Sequence, residues 1–362
     1  MSQSSRGRDA VKPTEIPARG WKEILWRVYG EISEDRVMLI AAGVTYYLLL
    51  AMVPGLSALI SIYGLFFDPA TIQDHTQMLS GIVPGGGMEI LEEQMERLAS
   101  GGRTTLGITF AISLAIALWS ANAGMKSLFE AMNVAYEEYE TRGFVKLTMT
   151  SLAFTLSGIV GIICMIAVVV VVPSVLNLIG LGSVTEWLIR IGSYAGLFVL
   201  ASLAIAALFR WGPDRANAKW KWITPGTILS VMVILAVSGL FSWYVANFGS
   251  YNETYGSLGA LIGFLTWIWL AVTILIVGGE LNSEMERQTA KDTTTPPDSA
   301  MGTRGATVAD TVAGGADATD EAGSRGTAAR PEAKTKLSAG NLALAVPAAL
   351  LLTFLERRSK RR

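Results

Sequence analysis

Residues Val37 to Phe66 run for 30 positions without a charged side chain. No other feature constrains the fold as much. A helix needs only about 20 apolar residues to cross a hydrocarbon layer ~30 Å thick. That layer offers no water to exposed backbone groups, so a spanning segment must satisfy them itself. Ser257 to Gly279 is a second uncharged run, and apolar runs near 105–121, 147–172, 187–209 and 223–246 make six in all. A soluble core rarely repeats such runs. The composition agrees, at 51% hydrophobic and 16% charged with mean hydropathy +0.43, which is too apolar for an ordinary soluble domain. The expected fold is all-α: a polytopic membrane helix bundle of six transmembrane helices plus interfacial amphipathic helices.

Basic residues set the expected orientation. Seven Lys or Arg precede Val37, three lie in 122–146 and four in 210–222, while the three intervening loops hold two, none and none. Short cytoplasmic loops carry the excess of Lys and Arg. The pattern predicts a multi-pass inner-membrane protein with both termini cytoplasmic. Residues 1–19 are polar and predicted disordered, ahead of a membrane domain over 20–287. Within that domain Trp21, Ile24, Leu25, Val28 and Ile32 mark an amphipathic helix lying in the interface. Residues 122–146 read as a mixed-charge amphipathic connection. Residues 288–336, rich in Thr, Ala, Gly and Asp, read as a disordered cytoplasmic tail. Residues 337–362, apolar and then basic, read as an interfacial helix or an extra span.

Catalytic chemistry is sparse. The chain has one His, His75, and one Cys, Cys164, too few for a zinc site built on those residues. No phosphate-cradling glycine loop is present. The acids Glu92, Glu93, Glu96, Glu137, Glu138 and Glu140 read as solvated faces. Neither a metal nor another cofactor is expected, nor an enzyme, nor a nucleic-acid partner, since net charge is −1. The expected partners are the lipid bilayer and a second copy of the chain.

Polar residues at span ends are the candidates for a solute path or gate. Asn122 closes the second run. Asn247, Tyr251, Asn252 and Glu253 sit between the fifth and sixth. Glu280 and Asn282 close the sixth, where Glu280 is either a gating or proton-coupling group or a helix end meeting water. Pro54-Gly55 predicts a kink or break in the first span, for a site or for packing. Gly259 and Gly263 form a GxxxG motif, and Ala153, Ser157 and Gly161 recur every fourth residue. Both patterns predict close helix contacts.

Three stretches carry a family resemblance. They are Ala41-Ala-Gly-Val-Thr-Tyr-Tyr-Leu-Leu-Leu-Ala-Met-Val-Pro54, Leu118-Trp-Ser-Ala-Asn-Ala-Gly-Met-Lys-Ser-Leu-Phe-Glu-Ala-Met-Asn133, and Asn247-Phe-Gly-Ser-Tyr-Asn-Glu-Thr-Tyr-Gly-Ser-Leu-Gly-Ala260 with Gly279-Glu-Leu-Asn282. Together the chain from Trp21 to Arg287 resembles the YihY/BrkB family of bacterial inner-membrane proteins, also labelled ribonuclease BN-like. The resemblance implies a six-helix inner-membrane fold. No catalytic constellation here supports the nuclease label. The leading functional expectation is a permease for a small solute or lipid component. The alternative is a non-transporting envelope scaffold or lipid organiser.

Overall fold

The structure, a computed structural model, describes residues 6–66, 103–166, 168, 183–247 and 257–313. A 3-10 turn at Pro13–Glu15 leads into α1 (Ala18–Glu34) and α2 (Val37–Phe66). There follow α3 (Arg103–Ala135), α4 (Phe144–Ile166), α5 (Ser183–Trp211), α6 (Trp220–Asn247), α7 (Ser257–Arg287) and the single turn α8 (Thr307–Asp310). No strand occurs among the described residues, only an isolated bridge between Ala218 and Thr294. Five helices, α3 to α7, are long and apolar enough to cross a membrane, and a sixth counts if α1 and α2 are taken as one bent span. The chain is thus a polytopic helical membrane protein.

The apolar composition shows in where side chains end up. Leu39, Val145, Met149, Leu203, Leu235 and Leu240 are all exposed. Water would penalise this surface and acyl chains do not. The buried core lies towards the end of the bundle where α2 begins and α3 ends, around Val37, Ala41, Phe129, Met132, Phe209 and Ile276. The 136–143 and 212–219 turns and residues 288–313 sit at that same end, tied together by hydrogen bonds such as Thr141 N–H to Asp214 and Ala216 N–H to the Gly305 carbonyl.

Helix α1 is amphipathic, with a second apolar face. Ile24 and Val28 pack inward against Trp222, Leu281 and Met285. Leu25, Trp26 and Tyr29 face outward, with Trp26 and Tyr29 stacked at 6.0 Å between ring centroids. The helix is not a straight extension of the first span, because the chain bends by 59° between α1 and α2. Arg36 takes a left-handed φ of 53° at the break. That bend lies at Asp35–Arg36, and the expected break at Pro54-Gly55 is not present, since α2 continues through it as helix. Proline is tolerated inside membrane helices when neighbouring groups take up the freed carbonyl.

The sequence reading needs two further corrections. The second span does not end at Ala121, since α3 is unbroken to Ala135. Residues 122–135 contain no proline, and the one Lys on this stretch, Lys126, is satisfied by Thr148 Oγ1 at 2.8 Å. Residues 6–17 and 288–313, read as disordered on composition, instead cover the helix ends. Ala290 N–H donates to the Arg8 carbonyl at 2.8 Å, and Thr289 Oγ1 donates to that of Ala10 at 2.6 Å. Buried Arg304 holds the carbonyls of Ala290 and Ala309. Small polar residues supply these bonds as readily as they supply flexibility, and composition cannot tell the two apart. Residues 314–362, including the apolar and basic segment, lie outside the described residues.

The tightest helix contact is also not where the motifs pointed. A Cβ on Gly263 would meet only Phe241 Cζ at 3.8 Å, an ordinary contact, and one on Gly161 would meet nothing within 4 Å. Gly259 is buried, while Ala153 and Ser157 are exposed. The close approach is between Gly226 of α6 and Gly278 of α7. A Cβ on Gly278 would lie 3.0 Å from the Gly226 carbonyl oxygen and 3.1 Å from Phe209 Cζ.

Candidate functional site: a buried polar layer at the end of α7

Helix α7 does not stop where its apolar run stops. It continues through Glu280 to Arg287 because nothing beyond Gly279 breaks it and most of these residues favour helix. Helical spacing then divides the polar residues between two faces. Glu280, Glu284 and Arg287 fall on one, and Asn282 and Glu286 on another. Glu280, Asn282, Glu284 and Glu286 are each no more than 2% exposed.

The first face meets α1, whose Arg27, Glu31 and Asp35 share a stripe by the same spacing. Arg27 pairs with Glu284 and also donates to the Gln288 side chain at 2.8 Å. Arg287 Nη1 lies 3.0 Å from Glu284, 2.8 Å from Glu137 and 3.9 Å from Glu31. Five carboxyl groups (Glu31, Asp35, Glu137, Glu280, Glu284) thus surround two guanidiniums (Arg27, Arg287). Glu280 lies beside Asp35 in this cluster. Glu280 Oε1 has no partner. Glu31 feels the surplus of carboxyls. Its own burial, and then the charges of Glu284, Asp35, Glu137 and Glu34, raise its pKa to about 7.

The second face meets the 212–219 turn. Arg215 pairs with Glu286 at 2.7 Å with both side chains fully buried, and Thr293 Oγ1 donates to Glu286 at 2.6 Å. The guanidinium lies 4.9 Å from the centroid of the Tyr136 ring, near enough for a cation–π contact. Burial works against the charge on Arg215, but the Glu286 carboxylate more than offsets this and raises its pKa. One turn deeper, Asn282 Oδ1 accepts the Gly226 N–H at 2.9 Å. Asn282 Nδ2 and the neighbouring Tyr136 hydroxyl complete no hydrogen bond.

The expected site residues do not converge on one place. Glu280 and Asn282 belong to this layer. Asn122 is buried on α3 with Oδ1 unpartnered, but about 21 Å of helical rise separates it from Tyr136. Asn247 is the last residue of α6, and its side chain, with Tyr251, Asn252 and Glu253, lies outside the described residues. Sequence reasoning missed Arg27, Tyr136, Arg215, Glu284 and Glu286. The spacing on α1 and α7 was visible, but nothing in the sequence indicates that Arg27 and Glu284, 257 positions apart, meet. Among the described residues no three His, Cys, Asp or Glu side chains converge in an arrangement that could hold a metal ion.

The pattern of the virulence factor BrkB family matches residues 28–302, which runs from within α1 through α7 and into the segment that covers the end of the bundle. The chain belongs to the BrkB family. Relatives of this BrkB-family protein include the putative ribonuclease-like protein YfkH of Bacillus subtilis, 27% identical over 271 residues, or 68% of this chain and 90% of that one. A UPF0761 membrane protein of Neisseria meningitidis serogroup B is 24% identical over 269 residues, 72% of this chain and 62% of its own length. A UPF0761 membrane protein of Alkalilimnicola ehrlichii is 30% identical over 254 residues, 68% of this chain and 54% of that one. The chain therefore spans little more than half the length of the UPF0761 relatives. No solved structure matches.

Proposed function

We propose that this BrkB-family protein is a permease-like protein of a bacterial inner membrane that moves a small solute or a lipid component. In this reading the buried charge around α7 closes the path on the cytoplasmic side. One observation carries it: membrane-embedded or adjoining helices bury polar atoms that the bundle leaves unpartnered, namely Asn122 Oδ1, Glu280 Oε1 and Asn282 Nδ2. In a low-dielectric layer such atoms are costly, and they persist where they line a path. The excess of Lys and Arg on the segments at the charged end supports a cytoplasmic placement. The test is flux through liposomes of phosphatidylethanolamine and phosphatidylglycerol, with glycerol, a mixture of labelled amino acids and a fluorescent phosphatidylglycerol as probes. At least one probe should move, and more slowly with Glu280→Gln or Asn282→Ala. No movement, or equal rates in the variants, refutes the reading.

A second reading, a lipid-organising scaffold, draws on the outward aromatic face of α1 at Leu25, Trp26 and Tyr29. It is favoured if flux is absent while replacing those three residues releases a lipid that co-purifies with the protein.

A further inference from the structure

Arg210 sits in the last turn of α5, at the charged end of the bundle. Arg27, Arg142, Arg215, Arg287 and Arg304 each lie within ion-pair distance of a carboxylate. Half-buried Arg210 forms no ion pair among the described residues. One of its Nη atoms donates to the Ala218 carbonyl, and its Nε is buried without a partner. A guanidinium has donors to spare after one such bond. Taking a charge partly out of water is costly unless an opposite charge replaces the water, and a single carbonyl does not.

The guanidinium is surrounded by aromatic rings instead. Its carbon lies 4.7 Å from the Trp220 ring centroid and 5.8 Å from that of Trp211, and the two rings meet edge to face at 5.8 Å. Such rings attract a cation without neutralising it. They also pin the end of α5 to the start of α6, which fixes where the guanidinium stands. Both tryptophans are exposed. Exposed indoles at the end of an apolar helix belong at the membrane–water boundary, which is the depth of a lipid headgroup.

The charges nearby leave the balance positive. Lys219 is met by Asp298 at 2.8 Å and by the Asp292 carbonyl. Arg142, which reaches the Trp211 carbonyl at 3.4 Å, is paired with Glu140. Lys221, next to Trp220, is exposed and forms no ion pair among the described residues. Apolar surface then continues away from the cation. Leu203, two turns before Arg210 on α5, and Ile228, two turns after Trp220 on α6, are both exposed, and the two helices pack together. A molecule with a negative head and hydrocarbon tails uses both the cation and the strip. A soluble anion uses only the cation.

We propose that Arg210, flanked by Trp211 and Trp220, binds the headgroup phosphate of an anionic phospholipid whose acyl chains run along α5 and α6. The phosphate oxygens accept from the Nη edge, in the bidentate geometry that a planar guanidinium favours. Lys221 adds the attraction that selects a net negative headgroup over a zwitterionic one. The site uses none of the residues on the outward face of α1, and it does not rest on the permease reading.

The probes are phosphatidylglycerol, phosphatidylethanolamine and inorganic phosphate, added to the full chain in detergent, with bound lipid counted by native mass spectrometry. The wild type should retain phosphatidylglycerol in preference to phosphatidylethanolamine. Arg210→Gln should weaken that binding about tenfold, the equivalent of one lost charge-assisted hydrogen bond. Arg210→Lys keeps the charge without the fork and should fall between. Arg19→Gln, at an exposed arginine of α1, should leave binding unchanged. Arg210→Gln also disturbs the bond to the Ala218 carbonyl, so a measurement on the wild type stands beside it. Phosphatidylglycerol carrying a photoreactive diazirine in its headgroup should attach within residues 203–228, and unlabelled phosphatidylglycerol, but not inorganic phosphate at the same concentration, should prevent this.

Equal binding of the two lipids, equal losses in Arg210→Gln and Arg19→Gln, or attachment confined to α1 overturns the inference. Displacement by inorganic phosphate assigns the cation to a soluble anion and overturns the lipid. Selective lipid binding alongside absent solute flux refutes the permease reading alone. Flux without selective binding refutes the lipid site alone.

Discussion

Replacing Gly226 with alanine tests the packing that places the polar layer. The added Cβ would land within the envelope of the Gly278 carbonyl oxygen and 2.6 Å from Asn282 Cγ. Comfortable carbon contacts lie near 3.5–4.0 Å, so α6 and α7 must separate by about 1 Å. Overpacking of this kind costs about 1–3 kcal/mol. The shift also strains the Gly226 N–H bond to Asn282 Oδ1 at 2.9 Å, worth roughly 0.5–1.5 kcal/mol. Against this, alanine favours helix over glycine by up to about 1 kcal/mol. The balance is a loss of roughly 1–3 kcal/mol, or about 1–4 °C in Tm for a chain of this size. The assay is thermal unfolding in detergent, followed by intrinsic tryptophan fluorescence. Gly278→Ala should fall between this variant and the wild type, because its nearest obstacle is the Ser230 hydroxyl, which can rotate, although Gly226 O stands at 3.0 Å. Gly239→Ala, on the same helix with nothing within 4 Å, should leave Tm unchanged or slightly raised. The reasoning is refuted if Gly226→Ala melts with the wild type, or if Gly239→Ala falls as far.

Three further outcomes follow from the same geometry. Arg215→Ala leaves Glu286 charged and fully buried, a loss of about 3–5 kcal/mol. Arg215→Ala with Glu286→Ala should cost less than Arg215→Ala alone, and equal stability of the two in denaturant titrations would contradict the buried pair. Glu31 has its pKa raised to about 7 in the folded chain, so the folded state binds more protons than the unfolded one between about pH 4.5 and pH 7. Its contribution therefore falls as pH rises through that window. Glu31→Gln should flatten the slope of Tm against pH and raise Tm at about pH 8; an unchanged slope would count against the crowding of carboxyls. Ending the chain after Ala313 keeps every contact described for residues 288–313. Ending it after Thr289 removes the Asp292 carbonyl that Lys219 holds, and Arg304 together with the carbonyls it ties. The first truncation should melt like the full chain and the second lower, as measured by limited proteolysis and Tm together.

How far the sequence reaches depends on the range of the interaction. Val37–Phe66 and Ser257–Gly279 declare helices that cross a bilayer because length and lack of charge act locally, through backbone bonds that each helix satisfies within itself. The class, the approximate helices and the family follow from residues read in order. Glu280 and Asn282 stood out because polar groups beside an apolar run are costly wherever they end up. The partners are decided by neighbours far apart in the chain. Arg27 reaches Glu284, Arg215 reaches Glu286, and Gly226 rather than Gly263 takes the close crossing. Residues 288–313 look like a tail in composition, yet they are held because Thr293 and Thr289 find acceptors on other segments while Arg304 ties together carbonyls of the segment itself. The α1 and α7 stripes are written at helical spacing, but spacing fixes only a face. Which face meets which, and so where five carboxyls gather around two guanidiniums, is settled only when the helices pack, because burial and pairing are properties of the assembled bundle.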